Sequence, residues 1–140
     1  MAATELFKIP GTIVVEHCPE QRAVVARWES LSTPAFREAI ERGMAECGRL
    51  RAKSWLVDLT QSPGVPSQED LAWVASTGAA LAMAHGVVVL INVHGDSALS
   101  AMGAKRWTKI ATDRGLATYD CHSLTDALAL AADVASGKIR

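Results

Sequence analysis

Val87-Val-Val-Leu-Ile-Asn-Val93 decides the fold, because it is a run of β-branched and aliphatic residues with almost no polar break. A strand with one wet face alternates apolar and polar residues. A continuous apolar run is instead buried on both faces, as in a parallel sheet covered by helices. The run is far shorter than the roughly 20 residues that span a bilayer, so it predicts a central strand and no membrane segment. On its amino side, Ser67 caps a predicted helix with Asp70 at the capping-box position, and Leu71, Val74, Ala75, Gly78, Leu81 and Ala82 recur on one face until His85-Gly86 stops it. On its carboxyl side, a helix is predicted over about 97–114, then a strand over Leu116-Ala-Thr-Tyr-Asp120. Ser123 and Asp126 then open a last helix.

The same grammar extends toward the amino terminus. Ser54-Trp-Leu-Val-Asp-Leu-Thr60 is a mostly apolar strand, broken by Gln61-Ser-Pro-Gly-Val-Pro66. Before it, Thr33-Pro34 opens a helix running to about Leu50, with Phe36, Ala39, Ile40, Met44 and Cys47 at helical spacing. Its charges pair four residues apart as Arg37 with Glu41, Glu38 with Arg42 and Arg42 with Glu46. Thr12–Cys18 and Arg22–Glu29 form a hairpin around a proline-containing turn. The order is ββαβαβαβα: an α/β domain with a mostly parallel sheet of about five strands, an antiparallel N-terminal edge strand and four helices. Its core spans about 11–135 of a single domain.

Composition narrows the function classes. Of 140 residues, 49% are hydrophobic and 21% charged, which is globular composition rather than the signature of disorder. With 14 basic and 15 acidic residues the formal charge is −1, so no bulk field draws in nucleic acid. Cys18, Cys47 and Cys121 form no CxxC pair and no disulfide framework, and the start of the chain has no apolar signal-peptide core. A reducing, cytoplasmic setting is expected.

The hairpin ending in Trp28, Phe36-Arg37, Trp55-Leu-Val-Asp58, Ser67-Gln-Glu-Asp70 running into Trp73, and Ser123-Leu-Thr-Asp-Ala-Leu128 occur in an order and spacing that resembles the SpoIIAA-like (STAS-like) family. The resemblance implies a small bacterial regulatory module of the anti-sigma factor antagonist kind, with relatives that bind small or lipid-like ligands. It also implies a phosphoacceptor in the loop after the third strand, where such modules carry an Asp-Ser-Ser-Gly type sequence. This chain has Asp58-Leu-Thr-Gln-Ser-Pro-Gly64, so Thr60 and Ser62 are the nearest hydroxyls, in a longer loop that also holds Pro63 and Pro66.

A parallel sheet binds its ligands beyond the carboxyl ends of its strands. The candidate rim for a partner or ligand is therefore Asp58, Ser67, His94, Asp96, Ser97 and His122. Asp58 either orients a hydroxyl or a partner's basic group, or satisfies backbone donors at the end of its strand. His94, Cys121 and His122 suggest a metal cluster only loosely, since a fourth ligand and a spaced helical pair are missing, and no metal is expected. There is no Gly-x-Ser-x-Gly elbow, no Gly-x-Gly-x-x-Gly and no P-loop lysine. The chain is thus expected to be no enzyme and to need no cofactor. Lys105, Arg106 and Lys109 form a basic helix face that suits an anionic partner. A protein partner is expected, with a homodimer through exposed edges possible. The alternative is a carrier or sensor of a small apolar or lipid-like ligand, prompted by the small residues from Ala75 to Ala84.

Overall fold

Strands form where apolar and β-branched residues line two faces, and in the computed structural model, which describes residues 3–61, 66–94 and 116–138, six of them make one sheet. They are β1 (Thr4–Ile9), β2 (Ile13–Cys18), β3 (Ala23–Trp28), β4 (Ser54–Asp58), β5 (Val89–Val93) and β6 (Ala117–Cys121). The sheet order is β1-β2-β3-β4-β5-β6, antiparallel as far as β3 and parallel from there on. This is the expected α/β fold, with one correction. The sheet has six strands rather than about five, and the antiparallel edge is β1, not Ile13–Cys18.

The missed strand has a physical reason. In Thr4-Glu-Leu-Phe-Lys-Ile9 a bulge between Glu5 and Phe7 breaks the period-two pattern, so Leu6 and Phe7 are apolar side by side. Gly11, at φ +73, makes the turn that folds β1 back on β2.

The helices are α1 (Phe36–Leu50), α2 (Gln68–Trp73), α3 (Ala79–Ala84) and α4 (Leu124–Ala135). A π-helical turn, Val74–Gly78, joins α2 to α3, so the single helix expected from Ser67 to His85 carries one wide turn in its middle. The helix expected over 97–114, with Trp107 and the basic face Lys105, Arg106 and Lys109, lies outside the described residues.

The caps were legible. Ser67 Oγ accepts from Asp70 N–H and Ser123 Oγ from Asp126 N–H, each at 3.1 Å. Gly86 turns the chain after α3 at φ +88. Helix α1 begins two residues later than Pro34, because Thr33 makes a turn instead: its carbonyl accepts from Phe36 N–H at 3.1 Å, and its hydroxyl meets Thr12 Oγ1 at 3.0 Å.

Alternation along the strands separates two apolar layers. Val24, Ala26, Trp28, Trp55, Val57 and Leu90 pack with α1, α2 and α3. Val25, Leu56, Val89, Ile91 and Val93 pack with Ala127, Ala131 and Val134 of α4. Trp28 stacks on Phe36 with ring centroids 5.2 Å apart, closing the first layer at the carboxyl end of β3.

Cys18, Cys47 and Cys121 are free thiols. Burial, helped by the nearby Glu46 carboxylate, pushes the Cys47 thiol up from 9.0 to about 12. The unfolded chain ionises this thiol near its ordinary value while the native state holds the proton. Its stabilising contribution is therefore complete below pH 9.0 and declines as pH rises toward about 12. Denaturant melts at rising alkaline pH should show a stability loss that Cys47→Ala reduces. An unchanged slope in that variant would refute the assignment. In native protein iodoacetamide should alkylate the partly exposed Cys121 first and Cys47 only on unfolding.

Candidate functional site

The parallel strands β3 to β6 all end on one side of the molecule, where the expected rim residues fall into three groupings. Asp58 closes β4 with a side chain that is 8% exposed. Its Oδ1 accepts from Thr60 N–H at 3.0 Å and from Thr60 Oγ1–H at 2.7 Å, so it both satisfies the backbone and holds a hydroxyl. Its Oδ2 accepts from Arg27 Nη1 at 3.3 Å, and Arg27 Nε in turn donates to Glu16.

Glu16, Arg27, Asp58 and Thr60 thus form one chain of charge-assisted hydrogen bonds across β2, β3 and β4. The Arg27 side chain is 43% exposed, so its ion pairs orient these groups more than they stabilise the fold, at about 0–1 kcal/mol each. The corner stays open because α4 crosses β4, β5 and β6 and ends against the turn Pro19–Gln21. A cavity of about 230 Å³ opens there, lined by Arg27, Trp28, Asp58 and Thr60 and flanked by Lys8 and Glu29.

Ser67 belongs to a second grouping on the opposite face. Asp70, whose N–H it caps, accepts from Arg37 Nε at 2.8 Å, and the Arg37 guanidinium lies 5.8 Å from the Trp73 ring centroid. Arg37 therefore ties α1 to α2 rather than pairing with Glu41. Glu38 does pair with Arg42, at 3.6 Å, while Glu46 pairs with Arg49 instead of Arg42.

The third grouping is at the ends of β5 and β6, where the His94 and His122 rings meet edge to face at 5.7 Å between centroids. His94 N–H donates to Cys121 O at 3.3 Å. Burial raises the Cys121 thiol, and Asp126 and Asp120 raise it further. Among the described residues, no three His, Cys, Asp or Glu side chains are grouped to hold a metal. Ser62, Asp96 and Ser97 lie outside the described residues.

The small residues of the Ala75–Ala84 stretch divide between the two sides of the helix, with Ser76, Ala80 and Ala84 exposed. Gly78, Ala79 and Ala82 are buried with Val74, which lets this helix lie close on the sheet. Sequence reasoning missed Glu16, Arg27 and Lys8. A signal was present: Ala23, Val25 and Arg27 share one sheet face, so Arg27 is a charge on an otherwise buried stripe and needs a carboxylate partner. Among the described residues no helix is long and apolar enough to cross a membrane. No family model matches the chain, and no curated protein or solved structure is significantly similar to it.

Proposed function

We propose that this chain is a non-enzymatic regulatory module of the SpoIIAA-like (STAS-like) kind, acting in the cytoplasm, which docks a protein partner through the rim around Asp58 and is switched at Thr60. One observation carries the proposal: the exposed Thr60 hydroxyl donates to a nearly buried carboxylate, in a cavity that also presents Arg27. A phosphate on Thr60 removes that donor and sets about −1.5 to −2 charge against Asp58. Arg27, held by Glu16 and Asp58, lines the same cavity as Thr60 and supplies a guanidinium that can move onto the new charge. Phosphorylation would then redraw the charge pattern of the rim without disturbing either apolar layer.

Incubation with native cell extract and ATP, followed by intact-mass measurement, should add phosphate to wild type and none to the Thr60→Ala/Ser62→Ala double variant. A partner captured by wild type should bind Thr60→Glu at least about tenfold more weakly, with the Thr60→Ala affinity close to wild type. Absence of both phosphate and partner would overturn the proposal.

A further inference from the structure

We propose that the amino end of the parallel sheet, opposite the rim, carries a second site that binds a phosphate group. Among the described residues, Arg22 at φ 49 and Arg51 at φ 56 are the non-glycine residues with positive φ. The left-handed conformation disfavours any residue with a Cβ, and glycine is its usual occupant after a helix. Here both positions are arginines. Arg51 follows α1, with its N–H turned back to the Cys47 and Gly48 carbonyls, and Arg22 follows the turn Pro19–Gln21.

The two arginines are joined to each other and to a lysine. Arg22 Nη2 donates to Arg51 O at 3.2 Å, and Lys53 N–H donates to Arg22 O at 2.8 Å. Arg22, Arg51, Lys53 and His85 line a depression of about 190 Å³ whose remaining wall includes Gly48 and Gly86. A Cβ at Gly48 would lie 2.5 Å from His85 Nδ1, so the bare backbone there is what lets the imidazole lie against α1. Among the described residues none of Arg22, Arg51 and Lys53 forms an ion pair with a carboxylate.

Helix poles do not account for this much charge. Helices α1 and α3 both end at the depression, and each carboxyl pole carries roughly half a negative charge. Together they offset about one of the three cations, which leaves a net positive, concave surface. Two arginines and a lysine lining one small depression suit the several oxygens of a phosphate. The group has two natural sources, a soluble phosphorylated molecule or a lipid headgroup. The second is worth testing because Met83 and Val88, 48% and 49% exposed, stand beside Gly86 next to the depression.

The test is calorimetric titration of the full chain with inorganic pyrophosphate at low salt, alongside co-sedimentation with phosphatidylcholine vesicles with and without phosphatidic acid. Saturable pyrophosphate binding that weakens with salt supports a soluble phosphate, and sedimentation only with phosphatidic acid supports a headgroup. The Arg22→Gly/Arg51→Gly variant should lose at least about tenfold in either affinity. Glycine is at ease at both backbone positions, so its thermal midpoint should stay at or above that of wild type, which separates lost binding from lost fold. Lys53→Gln should weaken the same binding. No binding in either arm, or double-variant affinity equal to wild type, overturns the proposal.

Discussion

Trp55→Ala should lower the free energy of unfolding by about 3–5 kcal/mol, read from urea melts followed by far-UV circular dichroism. Trp55 is 1% exposed at the second position of β4, where it pairs in register with Val24 of β3 and Leu90 of β5. Its ring fills the space between the sheet and α1. Deleting it removes the buried ring's transfer free energy and leaves a void that strands bonded on both sides close only in part. Total stabilities of single domains run at about 5–15 kcal/mol, so the variant should sit near its unfolding threshold at room temperature. A loss below about 1 kcal/mol would mean that Trp55 does not anchor this layer.

Gly43→Val should destabilise the packing of α1 on the sheet by about 1–3 kcal/mol. A Cβ at this position would fall 2.3 Å from Trp55 Cη2 and 2.7 Å from Cζ3, well inside van der Waals contact. Helix propensity favours almost any residue over glycine, by less than about 1 kcal/mol for valine. Overpacking against a ring that cannot leave the core costs about 1–3 kcal/mol, and the two methyls of valine push toward the upper end. The clash wins. In a Trp55→Ala background the same valine enters the vacated space, so the double variant should be more stable than the sum of the singles predicts, by about 1–3 kcal/mol. Strict additivity would show that Gly43 and Trp55 do not share that space.

The features legible in the sequence are those written in local chemistry. Ser67 with Asp70 and Ser123 with Asp126 carry their caps in the identity of one side chain, and Val89–Val93 shows its two-sided burial as an unbroken apolar run. Asp58 was legible as a rim residue because the carboxyl end of a parallel strand is a topological position. Its partners were not, since Glu16 and Arg27 reach it through the β2–β3 and β3–β4 registers, and register is a tertiary outcome. The same holds for Arg37, whose Asp70 partner lies 33 residues away while Glu41 stands one helical turn along. Arg22 and Arg51 left no trace, because a positive φ at a residue other than glycine has no sequence signature.

The order of strands across the sheet repeats their order along the chain, so each strand finds its neighbour in the segment made just before it. No strand has to be inserted between two that are already paired. During synthesis the N-terminal hairpins can close first and each later crossover can dock onto a finished edge, so the largest loop closed at any step is a single connection. For a sheet with this much parallel pairing, which usually slows folding through its long-range contacts, the consequence is growth by addition at a single moving border.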